Sequence, residues 1–242
     1  MTQLNLQKAF APVKQHFPKW LSNLIRSVAA AFLAPVMYGY RTGFFLSCFR
    51  MKAVSKDGKP LPWYTYPSID FLKYRTYQNK RILEFGGGQS TLWWAKRAKH
   101  VVTLEGDHEW YDKIKNAMPA NVDLHYVSMK DADTNVYQVK EVLASKQYPQ
   151  YDVVVIDGLY RYEMIDIACD LLAIDGIIVC DDADGYGFHD GFKERGLNRV
   201  DFYGNAPGVV LPHCTSLYFN PSSFVFDPAI PIHDVARNSV ES

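Results

Sequence analysis

The chain of 242 residues has no surplus of charge: its 26 basic and 26 acidic residues cancel. A protein that binds a polyanion usually carries a basic excess, so the composition argues against a nucleic-acid partner. Cysteine is scarce, and Cys48, Cys169, Cys180 and Cys214 stand too far apart for a C-x-x-C pair. Zinc knuckles and dithiol redox motifs are therefore not indicated. Cys169 and Cys180 lie in apolar runs and read as small core residues, which suits a reduced, cytoplasmic setting. No internal repeat or low-complexity segment stands out. The helix-like segment Trp20 to Tyr38 also lacks an uncharged run of bilayer-spanning length. Its longest, Ser27 to Tyr40, falls short of the roughly 20 residues a spanning helix needs. It begins too far into the chain for a signal peptide.

What is present is an ordinary globular balance, 48% hydrophobic and 21% charged, in a length that predicts one large domain with a substantial core. The most informative stretch is Arg81 to Thr91, R-I-L-E-F-G-G-G-Q-S-T. A short apolar run carrying Glu84 ends in three glycines, then hydroxyl residues and a helical stretch. This reads as strand, tight turn and helix start. Glycine lets the backbone turn sharply and approach a ligand, and the helix start offers unpaired N–H groups. A dinucleotide loop would read G-x-G-x-x-G. Gly86 and Gly88 match, but Thr91 stands at the third position and an acid, Glu84, lies on the strand. Both departures favour a smaller ligand with an ammonium group and no phosphate.

Val101 to Glu105 reads as a second strand ending in an acid, placed to accept hydrogen bonds from two ribose hydroxyls. Asp107 reads as the N-cap of a helix from His108 to Ala117. Glu84-Phe85-Gly86-Gly87-Gly88 followed by Glu105 resembles the first two motifs of the class I S-adenosylmethionine-dependent methyltransferases, over roughly Pro62 to Asn220. The resemblance is to small-molecule O-methyltransferase-like members. It implies a doubly wound, Rossmann-like α/β sheet of seven strands, with an N-terminal helical extension. Later segments agree, because strands at Val122 to Val127, Tyr151 to Asp157 and Ile177 to Cys180 alternate with helices. Arg199 to Phe219 reads as two more strands, which the resemblance places as an antiparallel pair at the sheet edge. The expected organisation is an extension over residues 1–58, the cofactor-binding domain over 59–225, and a tail over 226–242.

The resemblance implies S-adenosylmethionine held by Glu84, Gly86, Gly87, Gly88, Ser90, Thr91, Glu105 and Asp157. Thr65 and Tyr66, just before the first strand, are candidates to close over the methionine end. Asp131, after the third strand, is the candidate for the adenine amine. The strand ends also gather Asp157, Asp181, Asp182 and Asp184, and like charges this close need a reason. Two reasons stay open. Asp157, Asp181 and Asp182 resemble the magnesium set of metal-dependent O-methyltransferases, and oxygen ligands suit that ion. The lysine base of the catechol-type enzymes is missing, however, where Gly158-Leu159-Tyr160-Arg161 stands. Without a metal, Asp157 would contact the cofactor or accept the substrate proton, assisted by Asp182 or His189. Arg161 reads either as an anchor for a carboxylate or phosphate or as a surface charge.

The expected reaction is methyl transfer to an oxygen of a small-molecule or glycan-like acceptor. An aminopropyltransferase of the spermidine synthase type is one alternative, although that family carries a second acid where Gly158 stands here. A non-catalytic cofactor-binding protein is the other. The N-terminal segment suits a cap on the domain or on a second subunit of a homodimer. With Lys14, Lys19 and Arg26 ahead of its apolar run, it also suits a helix peripheral to the membrane.

Overall fold

The computed structural model describes residues 18–146, 150–158 and 160–230. Seven strands form one sheet in the order β3-β2-β1-β4-β5-β7-β6. The strands are β1 (Arg81–Phe85), β2 (His100–Glu105), β3 (Val122–Tyr126), β4 (Tyr151–Ile156), β5 (Leu172–Cys180), β6 (Asn198–Gly204) and β7 (His213–Phe219). Pairing is parallel from β3 through β5, while β7 runs antiparallel to both β5 and β6. This matches the Rossmann-like methyltransferase fold. Chain order reverses between β1 and β4, and in such sheets ligands sit in the crevice beyond the strand ends at that point.

Strand periodicity divides the core in two. Leu83, Phe85, Val102, Leu104, Val154 and Ile156 face one side, under α6 (Ala132–Ala144), α7 (Met164–Leu171) and α8 (Phe188–Phe192). Ile82, Val101, Val153 and Val155 face the other, under α3 (Tyr66–Leu72) and α4 (Gln89–Ala95). With both faces covered, the inner strands read as continuous apolar runs. Much of the aromatic content is spent on the second face, where Tyr64, Tyr77, Trp93 and Trp94 are fully buried.

The helix before β1 begins at Tyr66 and ends at Leu72, with Pro67 in its first turn, where no N–H is needed. One strand boundary differs from the sequence expectation. The fifth strand begins at Leu172, and its pairing with β4 shifts register between Tyr151 and Val153. Asp175-Gly176 therefore lies inside a strand.

The described part of the N-terminal extension packs on the domain through the end of its first helix and the helix that follows. Helix α1 (Lys19–Thr42) has Gly39 as its buried residue, against the Phe45 ring of α2 (Phe44–Arg50). Gly43, at φ +83°, ends α1 where a Cβ would lie 2.4 Å from the Ser55 backbone. Tyr38 meets Tyr66 edge-on at 5.9 Å, which ties the last turns of α1 to α3. Earlier in α1, Trp20, Leu24, Val28, Phe32 and Val36 are exposed. Lys14 and residues 231–242 of the expected tail lie outside the described residues.

Candidate active site

The site grows from the loop after β1. Gly86 sits at φ +98°, and a Cβ there would lie 2.8 Å from Gly158 Cα; one on Gly158 would lie 2.7 Å from Gly86 Cα. The loops after β1 and β4 thus meet backbone to backbone, and neither position has room for a side chain.

Glu84 holds this loop from behind. It is fully buried, and its Oε2 accepts hydrogen bonds from the hydroxyls of Thr91 (2.5 Å) and Thr103 (3.0 Å). Thr91 Oγ1 in turn accepts the Gly88 N–H at 2.9 Å. A relay of glycine N–H, hydroxyl and carboxylate therefore fixes the turn. Burial pushes the Glu84 carboxyl up to about 7, against the hydroxyls of Ser90, Thr91 and Thr103, which favour the ionised form.

Glu105 does the opposite and faces the cleft. Its two oxygens accept the Gly87 and Asp107 N–H groups, each at 2.7 Å, so the carboxylate is pinned at both ends. Each oxygen keeps acceptor capacity for a ligand. Asp107 caps α5 (His108–Ile114), as expected, by accepting the Trp110 N–H. That cap aims the Trp110 indole back to donate to the Gly87 carbonyl at 2.8 Å.

The opposite wall is acidic, but it carries its own cations. The Arg161 guanidinium donates to the Asp181 carbonyl at 2.6 Å. It lies 3.5 Å from Asp157 Oδ1, 3.4 Å from Asp182 Oδ2, and over the Tyr186 ring. Arg161 is thus neither a surface charge nor a free anchor. Burial, then the charge of Asp181, raises the Asp157 pKa well above the carboxylate range, and Arg161 opposes both. Asp182, at φ +50°, occupies a backbone region that costs a non-glycine residue energy and recurs at functional sites. His213 Nε2 stands 3.6 Å from Asp181 and 3.8 Å from Asp182, and Asp181 above all raises its pKa despite burial.

These walls enclose a cleft of about 430 Å³. Of the expected residues, Gly86, Gly87, Gly88, Ser90, Glu105, Asp157, Asp181 and Asp182 line it. The others fall elsewhere. Thr91 and Glu84 are buried behind the loop. Thr65 is fully buried; its N–H bonds Thr215 Oγ1, which donates to Asp181, so it supports the acidic wall from behind. Tyr66 is spent on the Tyr38 contact. Asp131 caps α6 by accepting from both the N–H and the hydroxyl of Thr134. His189 is exposed beside Arg199 and outside the cleft, and His213 takes the place expected for it.

The expected magnesium set of Asp157, Asp181 and Asp182 is also not the one the fold assembles. Among the described residues, Asp181, Asp182 and His213 bring their ligand atoms within 4.8 Å of one another, without Asp157. A divalent ion held by Asp157 would face the Arg161 guanidinium, which stands 3.5 Å from that carboxyl. Trp63, Gln89, Trp110 and Val209 also line the cleft. Trp110 had a legible signal, since it stands three residues after an N-cap; Trp63 and Val209 had none.

No family model matches the chain, and no match is found among curated proteins. Among solved structures, a precorrin-6y C5,15-methyltransferase from Geobacter metallireducens GS-15 is similar at 16% identity. It covers 63% of this chain and 86% of its own, with a TM-score of 0.47. A methyltransferase-like protein from Silicibacter pomeroyi DSS-3 is similar at 18% identity, covering 67% and 91%, with a TM-score of 0.46.

Proposed function

We propose that this chain is an S-adenosylmethionine-dependent methyltransferase that methylates an oxygen of a small or glycan-like acceptor, with no metal at Asp157. The observation that carries this reading is Glu105, pinned by two backbone N–H groups at the lip of a glycine loop and turned into the cleft. The residues fit the cofactor. Gly86, Gly87 and Gly88 leave a side-chain-free floor, Glu105 would accept the ribose hydroxyls, and Trp110 would flank the base. When bound, S-adenosylmethionine supplies a methyl group activated by its cationic sulfur, so that a C–O bond forms as the C–S bond breaks and the electron pair stays on sulfur.

The chain's own residues then align the acceptor and take its proton. Asp157 is the base: burial makes its carboxylate more basic than usual, and Arg161 favours the ionised form. Asp182, half-exposed, would hold the acceptor, while His213 balances the charge of Asp181 and Asp182. Trp63 and Val209 narrow the mouth. Alignment and exclusion of water supply much of the rate of such a transfer.

The test is transfer of labelled methyl from S-adenosylmethionine to a panel of hydroxylated acceptors, with chelator present throughout. Label should transfer, and Asp157→Asn should slow it by about 100-fold. Transfer that needs added magnesium would overturn the metal-free reading. Transfer of an aminopropyl group from the decarboxylated cofactor, with none of methyl, would favour the polyamine reading. Tight cofactor binding without turnover on any acceptor would favour the non-catalytic one.

A further inference from the structure

Helix α1 is about 36 Å long at 1.5 Å per residue and shows its apolar side chains to solvent. Leu24, Val28, Phe32 and Val36 are 52%, 48%, 73% and 55% exposed, and their helical spacing puts them on one face. Lys19, Asn23, Arg26 and Arg41 fall on the opposite face. The apolar surface continues through Phe49 and Met51, 88% and 87% exposed, around the end of α2. Against α2 lies the loop between β6 and β7: a Cβ on Gly208 would sit 3.2 Å from Ser47. Within that loop Val209 lines the cleft, while Val210 and Leu211 are each 75% exposed. The Trp63 indole donates to the Pro207 carbonyl of the same loop and reaches the cleft mouth. One apolar surface therefore runs from α1 to the rim of the site.

Charge identifies what covers it. Every charged residue before Asp57 is basic, eight in all, although the whole chain is neutral. A second copy would set those cations against their equals. An anionic phospholipid surface offers both acyl chains for the apolar face and negative headgroups for the basic residues. By length and composition α1 would suffice to cross a bilayer, but Arg26 confines its uncharged run to Ser27–Tyr40, about 21 Å of a hydrocarbon core of about 30 Å, which favours a helix lying in the interface plane.

We propose that α1 and the tip of the β6–β7 loop dock on an anionic bilayer, so that the cleft opens at the membrane surface. Resting on the methyltransferase reading, the acceptor is then the polar end of a membrane-held amphiphile.

The experiment is co-flotation of the full chain with phosphatidylcholine vesicles that contain phosphatidylglycerol, beside vesicles of phosphatidylcholine alone. Wild type should bind the anionic vesicles at least about tenfold better and release with salt. Phe32→Glu with Val36→Glu should cost at least about tenfold, and Val210→Glu with Leu211→Glu about fivefold. All four positions are exposed, and retained binding of S-adenosylhomocysteine would show that each variant is folded. Equal binding to both vesicle types, or none, would overturn the docking. Unchanged binding by the loop pair would overturn the placement of the cleft at the membrane. Light scattering that shows a dimer broken by the helix pair, with no vesicle binding, would assign the face to a second copy. Vesicle binding by a wild type that ignores S-adenosylhomocysteine would remove the methyltransferase reading and the acceptor with it, while the docking stands.

Discussion

The two halves of the cleft hold their acids in opposite ways. At the ends of β1 and β2, Glu84 and Glu105 accept from neutral donors, the hydroxyls of Thr91 and Thr103 and the N–H groups of Gly87 and Asp107, while Glu84 Oε1 finds no hydrogen-bond partner among the described residues. At the ends of β4 and β5, Asp157, Asp181 and Asp182 are balanced by Arg161 and His213. Neutral donors fix a carboxylate in place and shape a binding surface. Ion pairs set charge against charge, and they bias the titration of Asp157 and His213 in opposite ways to burial.

Removing the cation should break the second half most severely. Arg161→Met removes the cation that opposes the raised pKa of the largely buried Asp157, and should cost about 3 kcal/mol of stability in urea unfolding. Adding Asp157→Asn to it should recover a good part of that loss, because an amide carries no charge to desolvate.

On the first half, Glu84 predicts a pH dependence. Its folded pKa, about 7, lies above its ordinary value of 4.5. The protonated form therefore favours the fold, and the stability it contributes is full below about pH 4.5 and lost as pH rises through 7. Between pH 4.5 and 8 the wild type should lose about 3 kcal/mol on this account. Melting profiles of Glu84→Gln should lack that component; identical profiles would contradict a buried titrating carboxyl.

The two halves join at Gly86 and Gly158. Gly158→Ala should destabilise by about 2 kcal/mol, since its Cβ meets backbone that cannot swing aside. Trp110→Phe removes the donor to the Gly87 carbonyl and should cost about 1 kcal/mol. A loss as large as that from Arg161→Met would mean the loop depends on one indole more than on Glu105.

The sheet was legible because Val153 to Ile156 and its neighbours are unbroken apolar runs, and the glycine loop because three glycines after such a run permit little else. The acids were legible as residues but not as roles. Glu84 and Glu105 both end near the glycines, yet strand alternation combined with depth turns one behind the loop and the other into the cleft. Arg161 was ambiguous because a short loop does not fix where a long side chain lies. Thr65 and Tyr66 lie outside the cleft lining because the helix starts at Tyr66, which commits both side chains to packing. The exposure of α1 was beyond reach, since an apolar helix looks the same in sequence whether it is covered or bare.

The most direct test is calorimetric titration with S-adenosylhomocysteine of the wild type, Glu105→Ala and Glu84→Gln. The account predicts binding by the wild type, a loss of at least about tenfold for Glu105→Ala, and a change of no more than about threefold for Glu84→Gln. No binding by the wild type, or equal losses in the two variants, would contradict it.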